Sequence, residues 1–389
     1  MQARYLTIVA LRLRSTLVYM AASPSIEVAL GRAVVVLAVL AVLTLSVVAA
    51  WSDGVPAGVA VPSASANSIP LAVLGDSNSH SYQDRTAFPP GTRERGGALR
   101  ARTFQWTEVL ARLRGDEIDI GPWVLWGQPG WVALARELIG LPASRAPRKE
   151  DYLYNFANSG AACKNLMGER FGQRFRQAPR LVALMNQEAE RWRHGVVVIS
   201  IGANDWNAWL DLQSRDPLAS ELRRTIDYCT HQISVAISLI HASHPSTRIL
   251  LVGLRTGADD PVNFDKYRSS FAMTNIKKAL AGANAELRKI ALADPQRIAF
   301  FDVEAWFVQR WGERGPNGEP SYKTVTIGPN LHVANTAGDE PSNAVLNDGH
   351  AGVAANAMRA QSLVLRLRED FGLTSTPISD EEVARFLAP

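Results

Sequence analysis

Residues 74–80 read LGDSNSH, so the apolar run IPLAVL at 69–74 ends in a glycine, an acid and two serines instead of an ordinary turn. The chemistry such a stretch can do is nucleophilic catalysis by a serine, whose hydroxyl needs a base to take its proton near neutral pH. Ser77 is the candidate nucleophile. Three further polar stretches stand apart in the chain: NSGAAC at 158–163, GANDW at 202–206 and NDGHAG at 347–352. They supply Gly160, Asn204 and His350. Taken singly, each stretch has an ordinary reading as a turn or a helix cap. His80, close to Ser77 in the chain, either lines the same pocket or plays no part.

The elements that must position these residues alternate along the chain. Flat apolar runs at 69–74, 152–157, 195–201, 248–254 and 297–303 are expected strands, buried on both faces. Amphipathic stretches at 177–193, 219–243 and about 268–292 lie between them; in the second, Leu222, Ile226, Ile233, Ile237 and Leu239 recur at near-helical spacing. This alternation predicts a parallel sheet covered by helices on both faces, a fold that binds ligands at the carboxyl ends of its strands. The first three expected strands end in GDSNS, NSGAAC and GANDW, and NDGHAG opens a last helix over VAANAMRAQSLVLRL. A serine, a glycine, an asparagine and a histidine therefore converge on one edge. No internal repeat interrupts the pattern.

In this order, GDSNS, the Gly160 of NFANSG, GAND and DGH resemble the four blocks of the SGNH, or GDSL-type, hydrolases, over about residues 70–370. The resemblance implies an α/β fold, a three-layer α/β/α sandwich with a five-stranded parallel, flavodoxin-like sheet, and ester or acetyl hydrolysis without a cofactor. It implies Ser77 as nucleophile and His350 as general base. The backbone N–H groups of Ser77 and Gly160 and the side chain of Asn204 would form the oxyanion hole. These types suit those roles: glycine lets backbone approach substrate closely, and asparagine donates without ionising. One departure concerns the acid. The family pattern is Asp, two residues, His, whereas here Asp348 stands two before His350 and Asn347 three before. Asp348 is preferred, because DGHAGVAANA aligns with the family's DG-x-H block and following helix once one residue is deleted. Asn347 would hold the imidazole tautomer but stabilise the imidazolium less. The shortened spacing also resembles that of SGNH-like polysaccharide O-acetyltransferases.

Of the 389 residues, 47% are hydrophobic and 20% charged, a globular composition with enough chain for a sizeable core. Residues 33–51, AVVVLAVLAVLTLSVVAAW, carry no charge and are long enough for a bilayer core of roughly 30 Å. Arg4, Arg12, Arg14 and Arg32 precede them against Glu27 alone. By the positive-inside rule, 1–32 is expected to be cytoplasmic, 33–51 a single-pass transmembrane anchor in the cell membrane, and the rest extracytoplasmic, in the periplasm. A signal peptide cleaved after Val48 and Ala50 is the alternative. Residues 1–32 account for +3 of the formal +4 charge, so no basic stripe remains to suggest nucleic acid as a partner.

Residues 52–69, poor in charge and rich in Ala, Pro, Ser and Gly, read as a linker. The folded domain is expected over 70–372, with an insertion at about 85–150 and a C-terminal tail at 373–389. The insertion holds Trp106, Trp123, Trp126 and Trp131, whose rings either stack on sugars or pack an inserted helical subdomain. Cys163 and Cys229 lie in the exported part, where a disulfide between them is permitted; two buried thiols are the other reading. No CxxC or Cys/His cluster suggests a metal, and no GxSxG, GxGxxG, P-loop or HExxH is present, so neither metal nor cofactor is expected. The expected function is that of a membrane-anchored esterase or acetylesterase acting on an acylated cell-envelope carbohydrate or lipid. The alternatives are an O-acyltransferase to a polysaccharide and a non-catalytic carbohydrate-binding module that retains the pocket.

Overall fold

The computed structural model describes residues 67–141, 144–168 and 175–388, together with Gly31, residues 33–39 and Ala41. The expected anchor at 33–51 lies mostly outside the described residues, as do most of 1–32 and of the linker at 52–69. Among the described residues no helix is long and apolar enough to cross a membrane.

The sheet is built from β1 (Ile69–Gly75), β2 (Ile118–Asp119), β5 (Val196–Ser200), β6 (Arg248–Val252) and β7 (Ile298–Phe301). Its order is β2-β1-β5-β6-β7, with every pair parallel. This is the flavodoxin-like order, and its switch point falls between β1 and β5. Alternation along each strand sends side chains to two separate cores. Leu71, Val73, Val196, Val198 and Leu250 face one side, where α1 (Trp106–Arg114) and α7 (Val353–Phe371) pack through Trp106, Leu110, Leu363 and Leu367. Ala72, Leu74, Val197, Ile199 and Leu251 face the other, against α2 (Gln177–Met185), α4 (Ser220–Ser243) and α5 (Ser270–Leu292) through Leu181, Ile226, Ile233, Leu280 and Leu287. Both faces are covered, which is why these strands carry no polar alternation.

Three expectations are corrected. The second strand of the sheet is not 152–157 but the two-residue β2, whose ladder with β1 joins Ile69 to Ile118 and Pro70 to Asp119. So short a strand, within EIDI, has no apolar run to mark it. Residues 152–157 instead follow the hairpin of β3 (Trp123–Trp126) and β4 (Lys149–Tyr152) and continue beside the second half of β1. There Val73 N–H donates to Tyr154 O, Phe156 N–H to Val73 O and Asn158 N–H to Gly75 O. The loop at 158–163 thus still reaches the expected edge.

The stretch 85–150 is not a helical subdomain, since it holds β2 and both strands of that hairpin as well as α1. Trp106 and Trp126 are buried and Trp123 packs edge-on against Tyr152, while Trp131 is 60% exposed. Residues 373–389 are more than a tail. After a capping box at Ser379 and Glu382, α8 (Asp380–Leu387) buries Val383 and Leu387 in the core that holds α7.

A small sheet not anticipated from the sequence leads into the last loop. β8 (Val325–Ile327) runs antiparallel to β9 (Leu331–Ala337), which runs parallel to β10 (Asn343–Val345). Two further short helices, α3 (Ala203–Asn207) and α6 (Val303–Trp311), follow β5 and β7.

Candidate active site

Gly75 ends β1 where a Cβ would lie 2.6 Å from Ser200 O, so only glycine fits against β5. The Gln177 side chain accepts from Gly75 N–H and donates to Gly75 O, both at 2.8 Å. A helical turn follows, with Ser79 and His80 N–H donating to Asp76 O. Asp76 Oδ1 accepts from the backbone and side chain of Asn78, at 2.8 and 2.9 Å. Burial pushes the Asp76 carboxyl up to about 6, against those hydrogen bonds and the charge of Arg359. Asp76 therefore shapes the turn that presents Ser77.

Ser77, Asn204 and His350 line one cavity of about 380 Å³. Asn204, in the first turn of α3, donates from Nδ2 to Ala161 O at 2.8 Å, which leaves its second amide hydrogen for a ligand. Asp205 accepts from Cys163 N–H at 2.9 Å, and a disulfide joins Cys163 to Cys229 on α4 with Cα atoms 5.1 Å apart. These ties hold the loop that carries Gly160. Gly160 itself has φ +74°, in the left-handed region that favours glycine, and is exposed outside the cavity wall.

His350 follows β10. Its Nδ1 faces Asp348 Oδ1 at 3.1 Å, and its backbone N–H donates to the same oxygen at 3.1 Å. With Nδ1 engaged, Nε2 is the nitrogen left to accept a proton. Asn347 is exposed, its N–H bonded to Asp339, so Asp348 and not Asn347 stands on the imidazole. Burial would raise the Asp348 carboxyl, but the hydrogen bond and charge of His350 and the charge of Arg95 outweigh it and hold the group well below the usual carboxylate range.

Sequence reasoning missed the supports of this site. Arg95 Nη1 reaches Asp348 Oδ2 and lies 2.6 Å from His350 Nδ1. His80 is buried and is not part of the cavity wall. Burial and the charge of Lys149 hold its pKa below the ordinary value. Its Nε2 bonds Asp84 at 2.8 Å, and Nδ1 accepts from Ser159 N–H at 3.1 Å, beside Gly160. Lys149 pairs with Asp151 and donates to Ala157 O, while Asn155 donates to Ser79 O. The serine loop and the glycine loop are thereby joined by buried polar contacts. The i,i+4 spacing of His80 and Asp84 was the one sequence signal available.

Val303, Trp306 and Phe307 also line the cavity, together with the polar side chains of Asn207, Arg255, Asp260 and Arg359. Arg255 pairs with Asp260 and stacks over Phe307 at 4.7 Å; Arg359 donates to Ser200 Oγ at 3.1 Å. Burial lowers the Arg359 pKa to about 10.

A hydroxyl, an imidazole–carboxylate pair and an amide donor around one cavity, at the switch point of a flavodoxin-like sheet, make up the equipment of a serine hydrolase. Residues 71–314, more than half of the chain, match the model of the family described as GDSL-like Lipase/Acylhydrolase, and the chain belongs to that family of ester-bond hydrolases. The match ends before the NDGH loop. No curated protein matches the chain. Among solved structures, the lipase Lip_vut3 from a goat rumen metagenome is similar at 15% identity, over 79% of this chain and 100% of its own, with a TM-score of 0.39. A variant of Axe2, an acetyl xylan esterase from Geobacillus stearothermophilus, is similar at 15% identity, over 79% and 96%, with a TM-score of 0.35.

Proposed function

We propose that this hydrolase is a serine esterase, anchored in the membrane by residues 33–51 and facing the periplasm, that removes acyl groups such as acetyl from a cell-envelope carbohydrate or lipid. Ser77 Oγ attacks the ester carbonyl while His350 Nε2 takes its proton. Asp348 holds the Nδ1–H tautomer and stabilises the imidazolium. The tetrahedral oxyanion is met by Ser77 N–H, Gly160 N–H and Asn204 Nδ2. His350 then returns the proton to the leaving alcohol, and water repeats the sequence to free the acid.

The observation that carries this reading is the Asp348 carboxylate on His350 Nδ1, at 3.1 Å, beside the cavity that Ser77 lines. The arginines ahead of residue 33 and the Cys163–Cys229 bridge support an exported domain. The cavity's Val303, Trp306 and Phe307 suit an acyl group, and its polar members suit hydroxyls. Transfer of the acyl group to a polysaccharide is the second reading, favoured by the two-residue spacing of Asp348 and His350.

Labelling with a fluorophosphonate and turnover of p-nitrophenyl acetate test the chemistry. An unlabelled, inactive wild-type protein overturns it, and faster acyl loss on adding an oligosaccharide acceptor selects transfer. A reporter fused after Trp51 tests location, since activity only outside the cytoplasm is expected.

A further inference from the structure

Arg95 lies in the loop ahead of α1, 253 residues from Asp348 in the chain, yet it is only 3% exposed. The backbone is shaped to turn it inward. Arg95, Gly96 and Gly97 all have positive φ, at 56°, 99° and 50°, and a Cβ on Gly96 would lie 2.4 Å from Thr103 Oγ1. A non-glycine residue held in that region is strained, and the strain persists only where the surroundings enforce it. Here the guanidinium sits over Phe88 at 4.4 Å and Tyr82 at 5.4 Å. Tyr82 in turn donates to Ala351 O at 3.0 Å, next to His350.

The polar contacts converge on the acid. Arg95 N–H donates to Asp348 Oδ2 at 2.8 Å and Nη1 donates to the same oxygen. Nη2 donates to Ser159 Oγ at 3.3 Å, the neighbour of Gly160. Nη1 also lies 2.6 Å from His350 Nδ1, closer than Asp348 Oδ1 at 3.1 Å. Nη1 is always a donor. When Nδ1 carries its hydrogen toward Asp348, the tautomer a general base requires, Nη1 faces that hydrogen with a like charge and serves Oδ2 alone.

We propose that Arg95 is a positioning residue, which locks Asp348 and the Ser159–Gly160 loop into one unit around His350. This rests on the reading of Ser77, His350 and Asp348 as the hydrolytic triad. Asp76, on the loop after β1, also meets the charges of Arg359, on α7, and of His350. Arg95 is absent from the cavity wall, so its loss acts on turnover and not on substrate binding.

The test compares wild type, Arg95→Gln and Arg95→Lys by thermal melting, fluorophosphonate labelling and the kcat and KM of p-nitrophenyl acetate turnover. Arg95→Gln is expected to lower kcat by about 10²-fold with KM unchanged, the scale of a displaced catalytic group. Arg95→Lys keeps the charge but not the forked contact with Asp348 and Ser159, so its kcat falls as well, again with KM unchanged. A folded Arg95→Gln with wild-type kcat overturns the proposal. If Arg95→Gln fails to fold, Arg95→Lys decides, and an unchanged kcat there overturns it too. A wild type that does not label removes the triad reading itself, and the proposal with it, before any variant is compared.

Discussion

Asp348 and His350 are separated by one residue, yet the Asp348 carboxylate meets both the backbone N–H and Nδ1 of His350 through a single oxygen, each at 3.1 Å. Gly349 makes this possible. Its φ of +84° folds the chain back, so a two-residue spacing does the work of the family's three. A Cβ at Gly349 would meet nothing within 4 Å, so Gly349→Ala is expected to introduce backbone strain of about 1–2 kcal/mol without a clash. Activity should fall further than the melting temperature, because the strain is relieved by turning the carboxylate away from the ring.

The acid itself is tested by exchange. Asp348→Asn should lower turnover by about 10⁴, since an amide stabilises the imidazolium less than a carboxylate does. Asn347→Ala, at an exposed position off the imidazole, should leave kcat within about twofold of wild type. Collapse in Asn347→Ala with survival in Asp348→Asn would reverse the assignment.

The two serines of GDSNS separate in the same way. Ser77→Ala should abolish fluorophosphonate labelling and cut turnover by up to about 10⁶. Ser79 is buried away from the cavity, and its Oγ accepts from Trp106 Nε1 at 3.2 Å. That indole also donates to Asn78 O at 3.0 Å, so Ser79→Ala leaves it bonded and should cost little activity. Equal activity in wild type and Ser77→Ala would remove Ser77 from the mechanism.

What the sequence revealed and what it hid follow from the range of the interactions involved. β1, β5, β6 and β7 were legible because burial on both faces writes an unbroken apolar run into each of them. β2 was not, because a two-residue ladder imposes no pattern. Ser77, Asn204 and His350 could be placed on one edge because each follows a strand or precedes a helix. Arg95 carries no comparable mark: it stands in a loop, and its partner Asp348 is 253 residues away. His80 was visible as a residue but not as a role, since the contact that defines it, with Ser159, depends on how 152–158 lies along β1.

Asp76 gives the fold a pH dependence of known sign. Its carboxyl is raised by burial to about 6 from 3.8, so the folded state holds a proton that the unfolded chain has released between those values. Stability from this group is present in full below about pH 4 and is lost as the pH rises through about 6. The loss is on the order of 3 kcal/mol, at 1.36 kcal/mol per pH unit. Asp76→Asn keeps an oxygen for the Asn78 N–H groups and cannot ionise. Its urea midpoint should therefore fall less than that of wild type between pH 4 and 6. Equal slopes in the two proteins would mean that Asp76 is relieved of its burial in solution.

The Cys163–Cys229 bridge links the glycine loop to α4 across 66 residues of chain. Closing a loop of that length in the unfolded state is worth about 4 kcal/mol in the chain-entropy account. Cys163→Ser with Cys229→Ser should thus lower the urea midpoint strongly, and reductant should do the same to wild type alone. Activity offers a second readout. The Asn204–Ala161 and Asp205–Cys163 hydrogen bonds still hold the loop when the sulfurs are parted, each worth about 1 kcal/mol, or up to about 3 where a carboxylate accepts. At low temperature, where the double variant remains folded, kcat should accordingly fall by less than about tenfold. A larger loss would mean that the bridge, and not the amide and carboxylate beside it, holds Gly160 in position.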